Sequence, residues 1–273
     1  MTSGIIFDVK EFALHDGGGI RTTVFMKGCP LRCIWCHNPE GLRPTRELFV
    51  KSVGCLGCGL CRRGCSHEEC RGLGRCIHIC PMGLIDAVGK KVDCDELAAR
   101  VMKGKSIFDS TGGGVTISGG EPLLQAEFVR ELARRLDTHR LLETSGYADK
   151  EVFCETVELF DMIYIDVKLA DREEHKKYTG VYNDKILENL RYLQKNSIPH
   201  RIRVPLIPDI TDTKENLRAI AELAGDSVVE LLSYNSLAGA KYSSVGMTFT
   251  DKITKTKNAD VDTSVFANCI VNK

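Results

Sequence analysis

From Val92 onward the chain alternates short β-branched runs with longer helical patterns, the signature of successive βα units and a parallel sheet. The strand candidates are VTIS from Val115, LLET from Leu141, MIYIDVK from Met162, RIRVPLIP from Arg201 and VVELLSY from Val228, and TTVFMKG from Thr22 makes a sixth. Helices fit between them. DCDELAARVMKG opens with Asp93 three residues before Glu96, a capping-box spacing, and PLLQAEFVRELARRL starts at Pro122, a favoured first helical position. KEVFCETVELF, KILENLRYLQKN and TKENLRAIAELA carry further helical periods. Six such units predict an α/β fold with an open or partial barrel instead of a closed eightfold one. In barrels the chemistry sits where strands end and loops begin.

Two stretches break the alternation. Residues 54–88 are rich in cysteine and glycine and poor in apolar periodicity, which predicts a small metal-held domain inserted between residues 1–53 and 89–273. The tail after Met247 is polar without a strong period, the pattern of an appended strand or a partly disordered end. An apolar fraction of 43% over 273 residues is enough for a real core. No run approaches a membrane span and the N-terminus lacks a leader pattern, so a cytoplasmic chain with no membrane partner is expected. Lysine plus arginine equals aspartate plus glutamate and no basic run occurs, so nucleic acid is not an expected partner.

Cysteine changes the picture most. Of 13, ten fall between Cys29 and Cys80, a density that in a cytosolic chain argues for metal or redox chemistry. Cys94, Cys154 and Cys269 stand alone and read as small buried hydrophobes. KGCPLRCIWCHNPEG gathers Cys29, Cys33 and Cys36 as C-x3-C-x2-C and supplies no fourth. Structural zinc takes four ligands, usually from C-x2-C pairs, so zinc is the weaker reading. Three thiolates around a 4Fe-4S cube leave one iron without a protein ligand. An open position is what lets a metal centre bind a substrate directly.

Within the insertion, Cys55, Cys58, Cys61 and Cys65 form the C-x2-C-x2-C-x3-C run of bacterial ferredoxins. A second run, Cys70, Leu73, Cys76 and Cys80 before Pro81, has leucine where a cysteine belongs. Because the fourth cysteine of each run ligates the other cluster, Cys55, Cys58, Cys61 and Cys80 make one complete auxiliary site. Cys65, Cys70 and Cys76 fall one ligand short. His67, His78 or a carboxylate could complete them, or they could hold a three-iron cluster; an insertion held by zinc stays as the alternative.

These motifs carry a resemblance. C-x3-C-x-aromatic-C, with Trp35 as the aromatic beside the cofactor, resembles the signature loop of the radical S-adenosylmethionine (radical SAM) enzymes. There the open iron chelates the methionine end of SAM, and one-electron reduction yields a 5′-deoxyadenosyl radical. DGGGIRTTVFMKGCPLRCIWCHNPEG, Asp16 to Gly41, resembles almost residue for residue the matching segment of glycyl-radical enzyme activating enzymes, the group that includes pyruvate formate-lyase activating enzyme. The likeness runs from about Gly4 to Met247, with Gly18 where the family usually has proline.

The resemblance implies a partial (β/α)6 radical SAM barrel with a ferredoxin-like insertion. It implies that Gly119, Gly120 and Glu121 of SGGEP receive the SAM amino group, where the bare sequence reads a turn. Asp166 and Lys168 are implied to bind SAM, Arg203 to reach its carboxylate, and Glu143, Thr144 and Asp166 to hold a monovalent cation. Asp16 is implied to grip the backbone of a substrate peptide. Without the resemblance, Glu143 and Asp166 read as rim carboxylates, Arg203 as a structural arginine and Asp16 as a turn residue. LLSYNSL puts Ser233 and Asn235 where the family has proline and a SAM-contacting histidine, so that contact is not carried over. His15 and His37 have no partner in sequence, and a cofactor-borne radical needs no general base.

The function implied is abstraction of a hydrogen from a glycine of a partner glycyl-radical enzyme, with methionine and 5′-deoxyadenosine as co-products. Flavodoxin or ferredoxin would supply the electron, and the cell would be anaerobic. The rivals are a radical SAM enzyme acting on another peptide or a small molecule, and an iron–sulfur electron carrier, which has no need of SGGEP.

Overall fold

The computed structural model describes residues 2–250, 253 and 261–272. Its strands are β1 (Ser3–Ala13), β2 (Arg21–Met26), β3 (Glu47–Val50), β4 (Ile85–Val88), β5 (Lys90–Asp93), β6 (Gly114–Gly119), β7 (His139–Thr144), β8 (Met162–Asp166), β9 (His200–Leu206), β10 (Val228–Ser233) and β11 (Asn268–Asn272). The helices are α1 (Cys94–Val101), α2 (Lys105–Thr111), α3 (Ala126–Arg135), α4 (Lys150–Val157), α5 (Arg172–Thr179), α6 (Asp184–Lys195) and α7 (Lys214–Ala224).

One nine-stranded sheet runs β11-β10-β9-β8-β7-β6-β2-β1-β5. Pairing is parallel from β11 to β2, and β1 joins antiparallel to both β2 and β5. The six strands expected from the β-branched runs are the parallel centre of this sheet, so the fold has the expected α/β, open-barrel architecture. The tail supplies an appended strand, β11, beside β10. A separate two-stranded sheet, β3 with β4, brackets the cysteine-rich stretch. Among the described residues no helix is long and apolar enough to cross a membrane.

Alternation along the parallel strands sorts side chains into two layers. Val24, Ile117, Leu142, Ile163, Ile165, Ile202, Val204, Val229 and Leu231 share one core with Leu132 of α3, Phe153 of α4, Leu190 of α6 and Ile220 of α7. Most of their alternate neighbours, which face the barrel interior, are polar: Thr23, Thr116, Ser118, Glu143, Tyr164, Asp166, Arg201, Arg203 and Glu230, with Phe25, Leu141 and Leu232 as apolar exceptions. A parallel sheet covered on both faces is apolar on both. Here only the helix-covered face is, and the interior is left for charge.

Helix starts follow local chemistry. Asp93 caps α1, accepting from the amides of Asp95 (2.8 Å) and Glu96 (3.3 Å). Pro122 opens a short 3-10 turn, not the α-helix itself, which begins at Ala126. The turn stays separate because Gln125 is pinned to β1: its Oε1 accepts from Ile5 N and its Nε2 donates to the carbonyls of Ile5 and Lys27, each at 2.8 Å.

Candidate functional site

The three-cysteine loop leaves the end of β2 and is closed at its neck by backbone hydrogen bonds from Gly28 N to Gly41 O (2.8 Å) and Cys29 N to Leu42 O (3.1 Å). Beneath the neck, fully buried Lys27 donates to the carbonyl of Glu40 and to Glu47, both at 2.7 Å. The crown is tied to the end of α5, where Arg32 N donates to Thr179 O (2.7 Å) and Ile34 N to Tyr178 O (3.1 Å). Trp35 is buried with Leu169, Ile207 and Ile210 in a small apolar cluster against which Cys33, Ile34 and Tyr178 pack. The aromatic of the motif thus anchors the loop between its second and third cysteines.

Gly119 and Gly120 form the floor. A Cβ on Gly120 would lie 2.3 Å from Gly28 O and 2.5 Å from Gly41 O, and one on Gly119, whose φ is +115°, would lie 2.4 Å from Met26 N. The glycines let β6 press against the neck of the cysteine loop, sealed by Gly120 N to Met26 O and Glu121 N to Gly28 O, both 2.8 Å. Glu121 is completely buried. Its carboxylate accepts from Leu123 N (3.0 Å), Thr144 Oγ1 (2.6 Å), Ser145 N (2.8 Å) and Ser145 Oγ. These donors come from its own turn, from the last residue of β7 and from Ser145 just after it.

Burial dominates the three thiols and pushes all of them up, Cys33 to about 12. Mutual repulsion adds to this: Cys33 and Cys36 act on Cys29, and Cys36 on Cys33. Lys168 works in the opposite sense on Cys33 and Cys36. Such a set of buried, repelling sulfurs gives up its protons to a cationic metal centre, whose charge replaces theirs. The donor chemistry therefore fits an iron–sulfur cluster.

Lys168 is buried and donates to Asp166 (2.9 Å) at the end of β8. On the interior face Arg203 pairs with Glu143 (2.6 Å), which also accepts from Ser118 Oγ (2.6 Å). Burial raises Glu143 against the lowering effect of Arg203. Arg203 Nε is buried with no hydrogen-bond partner among the described residues. Glu143, Thr144 and Asp166 are therefore engaged separately, by Arg203, Glu121 and Lys168 respectively. Asp16 accepts from Thr23 Oγ1 (2.6 Å), and its charge is felt at Arg203 and Glu143. Asn235 is exposed and accepts from Leu237 N (3.0 Å) in a turn after β10.

Two buried cations of this region escaped the sequence reading. Lys27 lies beneath the neck of the cysteine loop. Arg21 ties the DGGG turn to β6, donating to Thr116 Oγ1 (2.7 Å), Gly18 O (3.2 Å) and Val115 O (2.8 Å). Nothing in composition marks either as buried, although both flank the β-branched run of β2.

In the insertion, Cys55, Cys58, Cys61 and Cys80 line one cavity with Val50, Leu60 and Ile85. Cys65, Cys70 and Cys76 form a different group, together with His67.

Comparison with known proteins agrees with this architecture. The radical SAM superfamily model matches residues 23–224. The (2S)-3-sulfopropanediol dehydratase activating enzyme of Klebsiella oxytoca is 36% identical, over 96% of this chain and 90% of that protein. The 4-hydroxyphenylacetate decarboxylase activating enzyme of Clostridium scatologenes is 36% identical, over 89% of this chain and 86% of its own. The isethionate sulfite-lyase activating enzyme of Oleidesulfovibrio alaskensis is 37% identical, over 89% and 87%. A match this long, on a chain whose three-thiol loop seats against a glycine floor at the ends of parallel strands, leads to one conclusion: the chain belongs to the radical SAM superfamily, among the activating enzymes of glycyl-radical enzymes.

Proposed function

We propose that this chain activates a partner glycyl-radical enzyme, and that the three-thiol loop seated on Gly119 and Gly120 is where SAM is used. The observation that carries the reading is the meeting of Cys29, Cys33, Cys36 and Lys168 at the strand ends. When bound, a 4Fe-4S cluster supplies the single electron that splits SAM into methionine and a 5′-deoxyadenosyl radical, which takes a hydrogen from the partner's glycine.

The chain's own residues hold and orient. Cys29, Cys33 and Cys36 bind three irons, and Trp35 fixes the loop that carries them. The Gly119–Gly120 floor offers backbone to the SAM amino group, while Glu121 braces that floor through its four donors. Asp166 and Lys168 reach SAM as a pair, and Arg203 offers its unpartnered Nε to an anionic ligand group. Glu143, Thr144 and Asp166, at the ends of the neighbouring strands β7 and β8, hold a monovalent cation beside SAM. Asp16, held against β2 and β6 by Thr23 and Thr116, takes the partner's peptide. Cys55, Cys58, Cys61 and Cys80 hold an auxiliary cluster, and flavodoxin or ferredoxin delivers electrons in an anaerobic cytoplasm.

The test uses anaerobically reconstituted protein with dithionite and SAM, wild type beside Cys33→Ala. We expect 5′-deoxyadenosine from the wild type only, and a glycyl-radical signal by electron paramagnetic resonance when the partner enzyme is added. Iron without SAM cleavage would favour an electron carrier. Cleavage with no radical on the partner would point to a different radical SAM substrate.

A further inference from the structure

We propose that Cys65, His67, Cys70 and Cys76 hold a single tetrahedral metal ion of the zinc class, distinct from the cluster site at Cys55, Cys58, Cys61 and Cys80. The ligand atoms of the four residues all lie within 4.8 Å of one another, and Cys76 Sγ stands 3.6 Å from His67 Nδ1. Metal–sulfur bonds of about 2.3 Å in a tetrahedron put neighbouring ligands about 3.8 Å apart. In a 4Fe-4S cube each thiolate caps a different iron, which spreads the sulfurs by the width of the cube. The first set of cysteines lines a cavity; this one closes on itself.

The backbone builds the set. His67 precedes the 3-10 turn Glu68–Cys70, whose first bond runs from Cys70 N to His67 O (3.1 Å), so the two residues sit side by side. Cys76 N donates to Cys61 O (2.8 Å), which returns the chain to the first run. Leu73 occupies the place of the absent thiolate, and the imidazole of His67 takes over that role from six residues upstream. His67 is itself backed by His78, with ring centroids 4.6 Å apart, and His78 reaches Glu69 at 3.8 Å.

Stability gives an independent reason. Of residues 51–84 only Cys70 and Cys76 are buried, while Val53, Leu56, Ile79 and Met82 are exposed. The insertion has no apolar core of its own, and small domains in that position are held by metal. Three thiolates and one imidazole are a closed donor set that zinc accepts without redox chemistry.

The experiment measures iron and zinc together on anaerobically isolated full-length protein. We expect stoichiometric zinc beside about eight irons, four for each of two cubes. Cobalt(II) should replace the zinc and show the intense visible bands of a tetrahedral thiolate site. His67→Ala should weaken zinc binding by about 100-fold or more, beyond what loss of an outer-shell partner costs, with the irons and Cys33-dependent SAM cleavage intact; His67→Cys should restore the zinc. About twelve irons and no zinc would overturn the proposal in favour of a third cube. So would zinc binding that is indifferent to His67. If His67→Ala does not fold, the cobalt spectrum of the wild type decides. Loss of SAM cleavage with zinc retained would count against the main site alone.

Discussion

At the scale of single residues, the most constrained side chain is Glu121. A buried carboxylate with four protein donors is held by hydrogen bonds that a glutamine cannot all reproduce, since its NH2 would face an N–H or O–H. We expect Glu121→Gln to cost about 1–3 kcal/mol, read as a lower urea midpoint at unchanged slope. A direct salt bridge to SAM would instead raise the Kd for SAM and leave the midpoint alone. His175 makes a second case. It is buried in α5, and burial, aided by Lys168, pulls its pKa below the usual value. The unfolded chain therefore takes up a proton near pH 6.5 that the fold still refuses. Its contribution is present above that pH and is lost as the pH falls. Urea midpoints at pH 7.5 and 5.5 should drop less in His175→Gln than in the wild type.

Elements show which signals sequence carries. The β-branched runs and amphipathic stripes were legible because each has one face against the common core, as with Leu132 of α3 and Ile220 of α7. β1 was not, because irregularities between Ile6 and Asp8 and between Lys10 and Ala13 break its period of two. β5 is four residues at a sheet edge, and α5 buries only His175 and Thr179, so neither presents a periodic apolar face. The SGGEP turn was legible as a turn, but the neighbour its glycines admit was not: backbone of the cysteine loop, over 70 positions earlier in the chain. We expect Gly120→Ala to lower SAM cleavage by more than about tenfold, equivalent to about 1.4 kcal/mol, with secondary structure by circular dichroism retained. An unchanged rate would show that the loop neck can yield.

For the whole molecule, the division of the sheet into an apolar helix-covered face and a charged interior is what makes a site possible. Strand β11 extends the sheet beyond β10, and Phe266 beside it is buried in the main core. Phe266→Ala should cost about 3–5 kcal/mol, seen as a lower thermal midpoint by calorimetry, while iron content stays the same. The sequence by itself determined the six parallel strands with the helices between them, the three-thiolate loop with its open position and the two cysteine runs. These depend on local spacing, and short-range chemistry reads directly from order along the chain. Only the tertiary structure decided that Glu121 turns to the β7 loop, that Arg203 meets Glu143, that Arg21 and Lys27 are buried, and that His67 joins three cysteines. Each of those depends on which distant strands lie side by side, and a linear pattern carries faces and periods but not neighbours.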